Sequence, residues 1–213
     1  MNARAYAVVV VCVAALGPAG CTTSDAGTPT PGPDSSESSA PTSTGPSEPS
    51  SEQDTFGAPR VENPLDASRF LVDPCAVLTP AQLAPFGVSQ PGEGDTDSEI
   101  AKTVGPLCIW HADPEVDSTI SVAWQSGNKH GLADLYRMRD EWEYFLETMV
   151  GGYPAVFNDS IDNRDGGDCT ISVGVSDTLT FDASETGVLD ADGACARAEQ
   201  VAKAAVVTMR GNR

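Results

Sequence analysis

Four cysteines, Cys75, Cys108, Cys169 and Cys195, carry the clearest chemistry in this chain of 213 residues. They are an even set in which no pair has the two-residue spacing of a zinc knuckle or a thioredoxin-type dithiol, so two structural disulfides are expected. Four cysteines allow three pairings. Cys75 with Cys108 and Cys169 with Cys195 is the favoured one, because each bridge would then staple the entrance of a helix to a strand, stabilising the fold by about 3–4 kcal/mol. Other reactive groups are sparse. The two histidines, His111 and His130, are too few and too far apart for a metal triad or an acid–base pair. "GVSDT" at 174–178 lacks the second glycine of a hydrolase nucleophile elbow, so Ser176 reads as a turn residue. Asp190, Asp192, Gly193 and Glu199 fall on positions of a calcium-binding helix–loop–helix template whose first position is Val188, which offers no side-chain oxygen. Asp192 is read instead as the N-cap of the last helix. "NDSIDNRDGGD" at 158–168 is acidic but matches no calcium loop, and Asn158 with Ser160 forms a glycosylation sequon by pattern only. The sequence therefore assigns no catalytic residue, no metal site and no cofactor.

A fifth cysteine, Cys21, stands where an apolar run gives way to threonine, serine and proline. Residues 5–16, "AYAVVVVCVAAL", carry no charge and follow the basic start at Arg4. A membrane-spanning helix needs roughly 20 apolar residues and the apolar part of an export signal about 7–15, so this run fits export. Pro18, Ala19 and Gly20 then lead into Cys21. The arrangement resembles the lipobox of bacterial lipoproteins, which implies a diacylglycerol on the Cys21 sulfur and cleavage just before it. It departs from the usual pattern in carrying Pro18 where leucine is common, with Leu16 two residues earlier. The plainer alternative is an ordinary leader cut nearby, leaving an exposed thiol open to oxidation. Cys12 lies within the apolar run and leaves with it.

An anchor implies a tether. From Thr22 to Thr55 there is no Leu, Ile, Val, Met, Phe, Trp or Tyr, and such a segment cannot bury enough apolar surface to offset the entropy of ordering. Residues 21–66 are read as the lipidated cysteine and its disordered tether, with a coil-like reach of roughly 35–40 Å. The chain holds 12 Lys and Arg against 31 Asp and Glu, a formal net charge of −19, and removal of residues 1–20 takes away Arg4 but no acid. A surface this acidic repels nucleic acid and anionic head groups, so membrane attachment would rest on acyl chains alone.

Residues 67–213 are read as one domain. Thr79 caps a short helix with Pro80 in its first turn and Gly87 after its end. "PLCIWHA" at 106–112 and "STISVAW" at 118–124 are expected to form an antiparallel pair, with Cys108 and Trp110 on one face of the first and Ile120, Val122 and Trp124 on one face of the second. Residues 131–143 suggest a helix with Leu132, Leu135, Met138 and Trp142 along one side. Gly151 and Gly152 separate "FLETMV" from "YPAVFN" as a hairpin. "CTISVGV" at 169–175 alternates cleanly and turns at Ser176 and Asp177 into "TLTF". In the last helix, 192–210, Ala194, Ala198, Val201, Ala205 and Met209 share a face, with Arg197 mainly elsewhere. The expectation is an α+β domain: an antiparallel sheet of about five or six strands covered by helices, including a C-terminal alanine-rich helix. Trp110, Trp124 and Trp142 read as core rather than pocket.

"DPC" at 73–75 with "LT" at 78–79, Cys108 and Trp110, "GYPAV" at 152–156, and Cys169 with Cys195 together resemble actinobacterial lipoproteins that carry a domain of unknown function, family 3558. The resemblance spans Leu71 to Met209 and implies an exported, membrane-anchored domain without supplying catalytic residues. The expected role is a noncatalytic binding or accessory module of the cell envelope, lipid-anchored on the extracytoplasmic side. Its partner would be an envelope protein, a wall polymer or a small molecule. An envelope hydrolase with an unfamiliar site, or a purely structural part, are the alternatives.

Overall fold

The computed structural model describes residues 54–187 and 190–211; the leader, Cys21 and most of the expected tether lie outside the described residues. Seven strands run β1 (Glu93–Asp95), β2 (Leu107–His111), β3 (Ser118–Trp124), β4 (Tyr144–Val150), β5 (Tyr153–Asp159), β6 (Asp168–Ser176) and β7 (Leu179–Gly187). All pair antiparallel in one sheet of order β1-β2-β3-β7-β6-β5-β4. Among the described residues four α-helices accompany it: α1 (Pro80–Leu83), α2 (Glu99–Thr103), α3 (Leu132–Arg137) and α4 (Ala191–Gly211). The α+β expectation holds with one strand more than foreseen. That strand, β1, is a three-residue edge strand reading "EGD", which has no apolar alternation to betray it.

One face of the sheet carries the main core. Ile171, Val173 and Val175 of β6, Phe181 and Ala183 of β7, and Ile120, Val122 and Trp124 of β3 join α4 residues Ala194, Ala198, Val201, Ala205 and Met209 in a single buried cluster. The small alanines let the helix lie close to the strands. Phe70 stacks on Trp124 at 5.9 Å between ring centroids and Phe181 tilts against it at 5.4 Å. Burial of each such large side chain is worth about 2–3 kcal/mol relative to exposure. Both bridges form in the favoured pairing: Cys75, in a 3-10 turn at Pro74–Val77, to Cys108 on β2, and Cys169 on β6 to Cys195 on α4.

Three local expectations change. The folded region begins ahead of residue 67: Ala58, Val61 and Leu65 are buried, and the Leu65 amide donates to the Val175 carbonyl at 2.9 Å. Asp177, in the β6–β7 turn, accepts from the Val61 amide at 2.9 Å and from Arg60 Nη1 at 3.0 Å. The tether assignment of residues 54–66 is thus corrected, because the apolar-free composition stops at Thr55 and Val61 and Leu65 then supply surface to bury. The helix expected over 131–143 stops at Arg137 and gives way to a 3-10 turn at Arg139–Glu141, leaving Met138 exposed. Asp140 and Glu141 would sit at its negative C-terminal end, where acids are unfavourable. Finally, Asp190, not Asp192, caps α4, accepting from the Gly193 amide at 2.9 Å.

The sheet order dictates where α3 must lie. β3 is near the middle and β4 is the far edge, so the connection between them crosses β7, β6 and β5. Since α4 occupies one face, the connection takes the other. Gly174 makes the crossing close: a Cβ there would stand 2.8 Å from Leu132 Cδ1. Leu132, Ala133, Leu135 and Tyr136 form a second, smaller cluster with Ala58 and Val156, against which Trp142 and Phe145 pack. Among the described residues no helix is long and apolar enough to cross a membrane.

Candidate binding cleft

Opposite α4 the sheet presents short polar side chains in cross-strand rows. One row reads His111, Thr119, Thr186 and Asp168; the next Ile109, Ser121, Ser184 and Thr170; the third Leu107, Ala123, Asp182 and Ser172. An antiparallel sheet can leave one face to water, which accounts for the polarity. It does not account for what happens where α3 roofs the third row. There a cavity of about 260 Å³ opens, lined by Gln125, Asn128, Asp134, Asn158, Ser172 and Asp182, with Leu135, Met138 and Trp142 forming an apolar wall. A roomier hollow of about 390 Å³ lies at the other end of the face, beside His111, Asp117 and Asp168, and has no aromatic wall.

The floor of the cavity is a hydrogen-bond chain. Gln125 Nε2 donates to Asp182 Oδ2 at 2.5 Å. Ser172 Oγ lies 2.6 Å from Asp182 Oδ1 and 3.0 Å from Asn158 Oδ1. One hydroxyl proton cannot serve two acceptors, so both contacts are satisfied in only two ways. Either Asp182 is protonated and donates to Ser172, which donates to Asn158, or Asp182 is ionised and the Asn158 amide is turned so that its Nδ2 donates to Ser172. Burial pushes the Asp182 carboxyl up to about 6, opposed by the bonds from Ser172 and Gln125 and reinforced by the charge of Asp159. Both arrangements are then populated around neutral to mildly acidic pH. Asp134 is held below the usual carboxylate range: burial works against ionisation, but bonds from His130 and from the amides of His130 and Lys129 outweigh it. Arg137 Nη2 binds Asp134 Oδ1 at 3.2 Å, so the charge on this rim is largely answered locally.

Most residues singled out in the sequence fall elsewhere, Asn158 and Trp142 excepted. His111 is exposed at the sheet face with Nδ1 3.1 Å from Thr119 Oγ1, and His130 pairs with Asp134 at 3.1 Å. Ser176 sits in the β6–β7 turn, its Oγ accepting from the Thr178 amide at 3.2 Å. Residues 191–199 are helical rather than a calcium loop, and Glu199 pairs with Lys203 at 2.8 Å. In the acidic loop Asp162 accepts from Arg164, which lowers its carboxyl to about 2, and Asp168 accepts from Asn163. Among the described residues no group of three or more His, Cys, Asp or Glu could hold a metal ion. The sequon residue Asn158 is buried in the cleft floor. Trp110 and Trp124 are core, whereas Trp142 walls the cavity while Nε1 donates to the Leu135 carbonyl at 3.2 Å. Gln125, Ser172 and Asp182 were not expected from sequence, and Asn158 was noted only for its sequon, because only strand register brings the four together.

Residues 16–208 match the model of a family described as "Protein of unknown function (DUF3558)". No curated protein and no solved structure matches the chain.

Proposed function

Since the chain belongs to the DUF3558 family of proteins of unknown function, we propose a function from its own parts: a lipoprotein held at the outer side of the cell membrane by acyl chains on Cys21, whose domain is a binding or accessory module acting through the cleft beneath α3. The observation that carries the binding role is the convergence of Gln125, Asn158, Ser172 and Asp182 under a tryptophan wall. These groups hold one another in place, as a preformed recognition site requires. Their set of amides, hydroxyl and carboxylate suits hydrogen bonding to a guest better than attack on one, since Ser172 is bonded to acid and amide and has no histidine beside it. An envelope protein, a wall polymer or a small molecule is the partner this role calls for. Export is supported by the leader pattern and by two bridges of a kind that persists in oxidising compartments. The family match takes in Cys21 and the segment after it, which supports treating anchor and domain as one functional unit.

The test is membrane fractionation of the native host fed an alkyne fatty acid. The chain should label and sediment with membranes, and Cys21→Ser should abolish the label and release the protein. Labelling that persists in Cys21→Ser, or a water-soluble chain that keeps residues 1–20, would remove the anchored reading.

A further inference from the structure

We infer that the cleft beneath α3 takes one neutral, hydroxyl-rich ring, a sugar residue, either free or at the end of a glycan chain. The inference rests on the binding-module reading above and names its ligand class. Size sets the first limit: about 260 Å³ falls just below the roughly 300–1,000 Å³ of sites for drug-sized ligands, which leaves room for a single ring.

Chemistry sets the second. The lining offers acceptors and donors together. The Asp182 carboxylate accepts one bond at each oxygen and retains further lone pairs, and Asn158, tied to Ser172 through one end of its amide, keeps the other end free of hydrogen bonds to the described residues. The side-chain amide of Asn128 and Gln125 Oε1, which make no hydrogen bond to the described residues, add one more group each. Vicinal hydroxyls donate and accept at neighbouring atoms, which matches this alternation. The wall of Trp142, Leu135 and Met138 presents an apolar surface to the C–H face of such a ring.

Other ligand classes fit less well. An anion would meet Asp182 on the floor and Asp134 on the rim, and Arg137 is already paired with Asp134. A purely apolar guest would strip water from Asp182 and return nothing. A bare metal ion would want several oxygen ligands, and the described residues hold no cluster of three acids. The open face also has an exit. From Asp182 and Ser172 the next rows carry Ser121, Ser184 and Thr170, then Thr119, Thr186 and the Asp168 carboxylate, a polar track along which a glycan could leave the cleft.

Ligand-observed NMR on the full mature chain tests this with two sets of probes. One is a panel of free glucose, galactose, mannose and arabinose; the other is soluble oligosaccharides ending in the same sugars. Saturable transfer to a free sugar supports the proposal with a free ligand, and transfer only to oligosaccharides supports it with a glycan end. Asp182→Asn, which keeps the shape, should weaken binding roughly tenfold or more through loss of charge-assisted bonds. Trp142→Phe should weaken it several-fold, and His111→Ala, at the distant hollow, should leave the binding of free sugars unchanged. Melting curves of each variant separate lost binding from lost fold. No saturable binding by either set, or binding indifferent to both Asp182→Asn and Trp142→Phe in folded protein, overturns the proposal. That outcome leaves the anchored-module reading standing if Cys21 is acylated, whereas a failure of acylation would remove the anchor and leave sugar binding to be judged on its own.

Discussion

Arg197 on α4 reaches the fully buried Glu185 of β7, Nε to Oε2, at 3.0 Å. Strand alternation puts Glu185 on the same face as Phe181 and Ala183, inside the core, where an unpaired carboxylate would be costly. The pair is completed by Ser118 Oγ, which donates to Glu185 Oε1 at 2.5 Å, and by Arg197 Nη2, which donates to the Phe86 carbonyl at 3.2 Å. Arg197, expected mainly off the apolar face of the helix, is turned inward by this partner. The arrangement fixes α4 in rotation and position against β3 and β7.

Arg197→Ala should therefore destabilise the domain by about 3–5 kcal/mol, because it strands a buried charge. The double change Glu185→Leu with Arg197→Met should recover most of that loss. Urea unfolding of disulfide-intact protein measures both, and a double variant no more stable than the single one would show that packing, not charge, is at stake.

Asp182 predicts a dependence on pH with a defined sign. Its carboxyl ionises near 3.8 when unconstrained and at about 6 in the fold, so between these values the native state holds a proton that the unfolded chain releases. Stability from this group is complete below about pH 4, falls as pH rises towards 6, and is level above. The loss is on the order of 2 kcal/mol, allowing for solvent that reaches the cleft. Asp182→Asn removes it, so the stability gap between variant and native protein should widen from pH 4 to pH 6 and then stay constant. A gap unchanged across that range would place Asp182 in an ordinary, well-solvated setting.

Removing the Cys169–Cys195 bridge by double alanine substitution should cost roughly 3–4 kcal/mol, mainly by freeing the unfolded chain over a 26-residue separation. The same loss should appear on full reduction, with the Cys75–Cys108 bridge, across 33 residues, adding a comparable amount. Thermal melts of the two double variants and the reduced protein give the comparison.

Gly105, at φ +144 between α2 and β2, accommodates the carbonyl of Trp124: a Cβ there would stand 1.8 Å from that oxygen. Backbone strain and steric conflict act together at this one position, and Gly105→Ala should cost roughly 2–4 kcal/mol in urea unfolding. A variant as stable as the native protein would mean that the strand start shifts freely.

Much of the fold was legible because apolar period and turn chemistry agree locally. Thr79, Pro80 and Gly87 bracket α1 and the 3-10 turn after it, and the Thr79 cap forms as expected, completed by Gln82 into a capping box. Cys169, Ile171, Val173 and Val175 face the core as their alternation requires. The cleft was not legible, and one residue explains why. Alternation along β6 turns Ser172 away from the core but does not say what lies opposite it: carrying the turn register of Ser176 opposite Leu179 back along the strand would set it against Ala183, and an irregularity between Gly174 and Ser176 sets it against Asp182 instead. A one-residue shift of this kind changes the partner of every residue beyond it, and nothing in "SVGVSD" beyond the glycine announces it. The roof was equally hidden, since the helix of α3 is only six residues long and its position follows from the sheet order.

Each bridge joins cysteines that are neighbours in the chain, first Cys75 to Cys108 and then Cys169 to Cys195. A polypeptide threaded N-terminus first through a translocation pore would present its thiols in that same order. If Cys21 is capped by acyl chains as proposed, an oxidase that couples each newly exposed free thiol to the next would make the native set directly, with no crossed pairs to undo.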